Sequence, residues 1–150
     1  PGLISYEALP GGGTTDYAVE IYYAALKTGK YACPIAKGTL MDMMYIPDAL
    51  RAVHELMEAD PTKLKHRNAF NIAAMSFAPE EIAAAIQEEL PSFTMSYQVN
   101  PTLQAIADSW PDKLEDTAAR EEWGWKAQYD LKTMTKDMLK NLQPRLAETK

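Results

Sequence analysis

Apolar and polar positions follow two rhythms along this chain. Residues 1–13 hold Pro1, Pro10 and four of the seven glycines, and read as a strand end followed by an irregular loop. Ala18, Ile21, Tyr22, Ala25 and Leu26 then recur at the spacing of one helix face. They predict a helix over residues 15–27, with Thr14, Thr15 and Asp16 as N-terminal residues and Gly29 as the stop. Residues 31–35 and 43–46 predict strands. Pro47 and Asp48 open a second helix, with Asp48 as its cap and Leu50, Val53, Leu56 and Met57 as its buried face; Asp60-Pro61 ends it. Residues 68–73, carrying Phe70 and Ile72, predict a buried strand.

Pro79 fits the first turn of a third helix, with Glu80 and Glu81 beside it and Ile82, Ile86 and Leu90 on its inner face. Ala78 before it is a poor cap. Residues 93–99 alternate as a strand does. Residues 101–108 and 117–123 predict short helices, and Asp130 starts a last one with Leu131, Met134, Met138 and Leu142 inward. The polar tail 143–150 is expected to fray. Strands and helices mixed in this way indicate an α/β or α+β fold, and no internal repeat or linker divides the chain.

Composition narrows the possible functions. The chain has 150 residues, 47% hydrophobic and 24% charged, which fits one globular domain. No apolar run approaches the ~18–20 residues that cross a bilayer, and no basic-then-apolar leader opens the chain. Fifteen Lys and Arg against 21 Asp and Glu give a net charge of −6, so the basic footprint of a nucleic-acid binder is missing. Acidity of this size favours solubility. Cys33 is the lone cysteine, which fits a reducing compartment. With only His54 and His66, both read as solvated, a Cys/His zinc site has no basis.

The most unusual stretch is Pro10-Gly11-Gly12-Gly13-Thr14-Thr15-Asp16. Glycines before a helix N-terminus let backbone approach a ligand, and the free N–H groups suit a carboxylate or phosphate. The same stretch also reads as a surface loop ending in a Thr cap. Trp110, on a short connection, either closes over a ligand or anchors packing. Trp123-Gly124-Trp125 reads as a helix end covered by two indoles. Tyr45 reads as a core residue with its hydroxyl at the edge. No nucleophile–base pair stands out, and the Tyr23–Lys27 spacing is treated as chance.

Six segments in series carry a resemblance. They are Pro1-Gly2-Leu3-Ile4-Ser5, the glycine loop through Ala18, Met43-Met44-Tyr45-Ile46-Pro47-Asp48, Asn71 to Phe77, Gln104 to Pro111, and Ala119 to Trp125. In this order the chain resembles the C-terminal half of L-threonine 3-dehydrogenases of the short-chain dehydrogenase type, relatives of the NAD-dependent epimerases and dehydratases. The implied fold is α/β: the end of a Rossmann-type sheet plus a small mixed α/β substrate domain. Residues 1–9 and about 68–73 would belong to the nucleotide-binding sheet. The resemblance implies oxidation of L-threonine by NAD to 2-amino-3-oxobutyrate, in a cytoplasmic homo-oligomer. It assigns substrate contact to Gly11, Gly12, Gly13, Thr14, Thr15, Asp16 and Trp110, with Thr15 foremost, and cofactor contact to Pro1, Gly2 and Leu3.

The Ser or Thr, Tyr and Lys of catalysis would lie upstream of Pro1, with the dinucleotide-binding half. The 150-residue chain alone is therefore expected neither to hold NAD tightly nor to oxidise threonine. It is also expected to self-associate through bare apolar faces at residues 18–26 and 68–73. Two other readings stay open: part of a nucleotide-sugar epimerase or dehydratase, and a non-catalytic binding or interaction module.

Overall fold

A computed structural model describes residues 1–67 and 69–148. The described elements run β1 (Gly2–Ile4), α1 (Tyr17–Lys27), β2 (Lys30–Cys33), β3 (Met41–Tyr45), α2 (Ile46–Glu58), β4 (Met75–Phe77), α3 (Pro79–Glu89), β5 (Thr94–Tyr97), α4 (Pro101–Asp108), α5 (Thr117–Trp123) and α6 (Leu131–Glu148). A short 3-10 turn, Thr14–Asp16, leads into α1. One sheet has the order β1-β3-β4, and β2 pairs with β5 in a second. β1 runs parallel to β3, with Gly2 beside Met43 and Ile4 beside Tyr45, while β4 runs antiparallel to β3.

All of β3 is buried because both faces of its sheet are covered. Successive side chains point to opposite faces. Met41, Met43 and Tyr45 join Ile4, Phe77 and the inner faces of α1, α3 and α6 in the main core. Met44 faces the other way, against Ala52 of α2 and Trp125. The predicted inner faces of α1, α3 and α6 are borne out at Ala18, Ile21, Tyr22, Ala25, Ile82, Ile86, Met134, Met138 and Leu142, all buried. Gly29 (φ +69°) turns the chain out of α1, its N–H reaching Ala24 O at 3.0 Å. Tyr22 Oη and Thr135 Oγ1 meet at 2.8 Å between α1 and α6. Glu81 reaches back to the Ala78 N–H at 2.8 Å, which compensates for the poor cap at the start of α3.

Four expectations are corrected. The strand expected over 68–73 is absent at the described residues 69–73 (Asn68 lies outside them), and β4 begins at Met75. The Ala73 N–H donates to Asp116 Oδ2 at 3.3 Å and the Ala73 carbonyl accepts from Trp125 Nε1 at 3.0 Å. Side chains thus take the backbone groups a strand partner would need. Residues 143–148 do not fray but continue α6 through Pro144. Leu139 and Leu142 are buried just before it, and packing rather than propensity holds the helix.

The third correction concerns Asp48. Tyr45, not Asp48, stands at the N-cap of α2. The Asp48 carboxylate instead accepts the N–H groups of Gln128 at 3.1 Å and Tyr129 at 3.0 Å, and pairs with Arg51 at 2.9 Å. The fourth concerns burial. Leu50, Val53 and Met57 are exposed, because α2 meets the sheet through Asp48 and Ala52, whose small side chains let it approach Met44. The faces expected to be bare, α1 and residues 69–73, are covered within the chain or partly so: Phe70 lies edge-on between His66 (5.8 Å) and Trp123 (6.0 Å).

Replacing Asp48, itself fully buried, by Ala leaves the Gln128 and Tyr129 N–H groups without their acceptor and takes one carboxylate partner from Arg51. Asp48→Ala is expected to cost about 3 kcal/mol of stability, read from urea unfolding. A loss below about 1 kcal/mol would mean that the approach to α6 is held by other contacts.

Candidate functional site

The glycine loop is closed by its own carboxylate. Asp16 Oδ2 accepts the N–H of Gly11 at 2.6 Å and of Gly13 at 2.8 Å, and the Asp16 N–H returns a bond to Gly13 O at 3.1 Å. Gly12, at φ +91°, supplies the left-handed turn between them. Two of the N–H groups that the sequence offers to an anion are therefore already bound, and the Asp16 charge disfavours a second carboxylate beside it. The bonds to Asp16 thus brace the loop from within.

Gly2 of β1 seats this loop. A Cβ at Gly2 would lie 2.6 Å from Thr15 Cγ2 and 2.7 Å from Met43 Sδ. Only a glycine lets Thr15 press its methyl against the strand. Thr14 is buried, whereas Thr15 is half-buried and its hydroxyl has no hydrogen-bond partner among the described residues. Helix α4 packs against the 3-10 turn, and Trp110 follows it, 41% exposed, its N–H bonded to Ala107 O at 3.0 Å. Pro1 is exposed, and Leu3 is 51% exposed on β1, whose outer edge pairs with no described strand. The structure thus brings Gly2 and Thr15 into contact and α4 against the turn that holds Thr14, Thr15 and Asp16.

Sequence reasoning missed how the acidic residues act. Asp116 holds Ala73 N–H and Arg120. Burial lifts its carboxyl, but the Arg120 guanidinium and the Ala73 N–H hold it below the usual range. Asp42 accepts the Leu114 N–H at 3.1 Å, and burial raises its carboxyl. Glu122 is buried and accepts the N–H groups of Lys65 (2.6 Å) and His66 (3.0 Å) and the His66 ring at 2.5 Å. His66, expected to be merely solvated, is thus anchored on one side. The signal was available in part: acids within apolar runs, such as Asp42 and Asp48.

Tyr45 is fully buried and its hydroxyl donates to Asp137 at 2.7 Å, as a core tyrosine with a polar edge should. Trp123 and Trp125 cover the end of α5, where Gly124 turns at φ +78°. Lys27 lies over the Tyr23 ring at 5.6 Å, a surface stacking contact. Burial pushes the Cys33 thiol up to about 11, away from nucleophilic use. A polar cleft of about 620 Å³ lies along the other flank of α2, lined by Arg51, Glu55, Trp123, Lys126 and Gln128 among others. Arg51 is already paired there with Asp48 and Glu55 and stacked on Trp125 at 4.7 Å. Among the described residues no helix is long and apolar enough to cross a membrane.

Gly2→Ala is expected to cost about 1–3 kcal/mol through overpacking, and adding Thr15→Ser, which removes the Cγ2 clash, should return part of it. Equal stability of Gly2→Ala and the parent in thermal unfolding would show that the loop is not seated on β1. Glu122 offers a pH test. Burial raises its carboxyl, but the bonds from His66 and Lys65 more than offset that and hold it low. A carboxyl lowered on folding stabilises the fold above the unfolded value of about 4.3, and that contribution fades as pH falls through the folded value. Stability of the parent should therefore drop more steeply below about pH 4.3 than that of Glu122→Gln; parallel acid limbs in urea midpoints would contradict it.

No family model matches the chain. An uncharacterized epimerase/dehydratase of Staphylococcus haemolyticus is 55% identical over 143 residues, which are 95% of this chain and 45% of that protein. Among solved structures, the L-threonine dehydrogenase of Clostridium difficile superposes with a TM-score of 0.94 at 59% identity, over 97% of this chain and 46% of that one. The apo form of a GalE-like L-threonine dehydrogenase from Cupriavidus necator superposes with a TM-score of 0.90 at 55% identity, over 95% of this chain and 51% of that one. The chain spans about half the length of the relatives it matches. In sequence and in fold the chain is similar to L-threonine dehydrogenases and to relatives named as epimerase/dehydratase, and it matches the C-terminal portion of the dehydrogenase structures.

Proposed function

We propose that this chain forms the substrate side of an NAD-dependent L-threonine 3-dehydrogenase, converting L-threonine and NAD to 2-amino-3-oxobutyrate and NADH. The observation that carries this reading is the 59% identity, at a TM-score of 0.94, to an L-threonine dehydrogenase along nearly the whole chain. The loop geometry agrees with it. A small zwitterion needs backbone that comes close and a few fixed polar groups. Thr15 offers an uncommitted hydroxyl on a loop whose shape Asp16 fixes, and the Asp16 charge suits the substrate's ammonium group. Trp110 covers the apolar side. Gly11, Gly12, Gly13 and Thr14 form the wall of this pocket.

The reaction breaks the C–H bond at the hydroxyl-bearing carbon and releases the hydroxyl proton to a base. NAD, when bound, accepts the hydride. Pro1 and Leu3, exposed at the open edge of β1, fit contact with its nicotinamide end, and Gly2 acts there by seating Thr15. This chain's own residues orient the amino acid and shield it from water. The Tyr base, its Lys and the Ser or Thr belong to the portion of the relatives that the chain does not span. The assembled enzyme is a cytoplasmic homo-oligomer in this reading.

The curated relatives' epimerase/dehydratase name favours a second reading, a sugar-nucleotide epimerase or dehydratase. A whole-length protein decides between them: the portion of the Clostridium difficile enzyme that this chain does not match, joined ahead of Pro1. It should form NADH from L-threonine, and the 150-residue chain alone should not. Thr15→Val should lower kcat/KM for L-threonine about 10–100-fold, the size of one hydrogen bond to a charged group at about 1.5–3 kcal/mol, with thermal unfolding unchanged. Unaltered kcat/KM in Thr15→Val would remove Thr15 from the site. Turnover of a nucleotide sugar with no NADH from L-threonine would establish the second reading.

A further inference from the structure

We propose that Asp42 and Ser76 are positioning residues for substrate binding: side by side on the sheet, they hold the segment after α4 and so set Trp110 over the amino acid, an inference that rests on the reading above. β3 and β4 run antiparallel with Asp42 opposite Ser76, so the two side chains stand together on one face of the sheet. Both reach the same stretch of irregular chain. The Asp42 carboxylate accepts the Leu114 N–H at 3.1 Å, and the Ser76 hydroxyl donates to the Asp112 carbonyl.

Trp110 is thereby held from both sides. Upstream, its N–H bonds the Ala107 carbonyl at 3.0 Å and the Ser109 hydroxyl bonds the Ile106 carbonyl at 2.7 Å, which fasten it to the end of α4. That helix packs against the 3-10 turn that carries Thr15. Downstream, only Pro111, whose ring fixes one backbone angle, separates Trp110 from the residue that Ser76 holds. Residues 109–116, between α4 and α5, belong to no helix or strand. Beyond Leu114, the next bond from this segment to a distant element is at Asp116, which accepts the Ala73 N–H. Without Asp42 and Ser76, Trp110 would therefore sit at the head of a loose stretch. The choice of an acid supports a positioning role. Asp42 is 5% exposed, and its second carboxylate oxygen has no hydrogen-bond partner among the described residues. A buried carboxyl with one oxygen unpaired weakens a fold rather than strengthening it, so its use lies in where it fixes Leu114.

Steady-state kinetics of the whole-length protein described above test this. Ser76→Ala should raise KM for L-threonine about fivefold and Asp42→Ala about tenfold, the sizes of a neutral hydrogen bond and of a stronger one. The value of kcat should stay within about twofold, because binding is lost and not the chemical step. Asp42→Asn keeps a carbonyl oxygen for the Leu114 N–H and should return most of the loss. In a Trp110→Ala background, where KM is already raised, Ser76→Ala should add less than about twofold, because the effect runs through the indole. Ser76→Ala removes one hydroxyl and carries the test by itself should Asp42→Ala fail to fold. A fall in kcat with KM unchanged would show that the two side chains only hold the fold, and would overturn the proposal. So would a KM effect that persists undiminished in Trp110→Ala. Unchanged KM in both variants, with NADH formed from L-threonine, would overturn the positioning role and leave the threonine reading standing. No NADH from L-threonine in the parent would sink that reading and the positioning role with it.

Discussion

The fold depends on the complete burial of β3. Five consecutive residues, Met41–Tyr45, are shielded on both faces and paired along both edges, to β1 and to β4. Such a strand has no polar side to give to solvent, so helices must cover both faces. α1, α3 and α6 cover one and α2 with Trp125 the other. Asp42 is the exception within the strand. Its buried carboxylate is tolerated because it takes the Leu114 N–H, and burial pushes it toward the neutral form.

Acidic side chains do a second task that the net charge of −6 conceals. Asp16 closes its own loop, Asp48 fixes the approach to α6, Asp116 binds residue 73 and Glu122 binds residues 65 and 66. In each case a carboxylate accepts backbone N–H groups of irregular chain that no strand or helix satisfies. Charge-assisted bonds of this kind are stronger than neutral ones, and they tie long connections without regular structure. The exposed pairs between α6 and α3, Lys132–Glu88 and Lys136–Glu89, are solvated and add little by comparison.

What was legible in the sequence follows from this division. Helices α1, α3, α4, α5 and α6 announce themselves by periodicity and by their Pro, Gly or Asp termini, because those signals are local. The strand expected over 68–73 is a misreading of apolar character: Phe70 and Ala73 are drawn in by an indole and a carboxylate from distant segments rather than by a neighbouring strand. Asp48 looked like a cap because it sits in the first turn, yet its backbone partners are 80 and 81 residues away. The apolar row of α2 was read correctly as apolar and wrongly as covered, since periodicity reports a face and not what lies on it. At the candidate site, the glycine loop was visible at once. The contact of Gly2 with Thr15 was not, because it joins residues that only the fold brings together.

Two neighbouring residues of β3 connect the two sides of the molecule. Met43 lies with Gly2 and Thr15 at the seat of the glycine loop, and Met44 lies against Ala52 at the foot of α2. The strand is close-packed on both faces, and close-packed interiors transmit displacement rather than absorb it. A shift of α2 that moves Met44 therefore moves Met43 and the support of Thr15 with it. The glycine loop is held in place from two directions, by Asp16 within the loop and by the sheet beneath it.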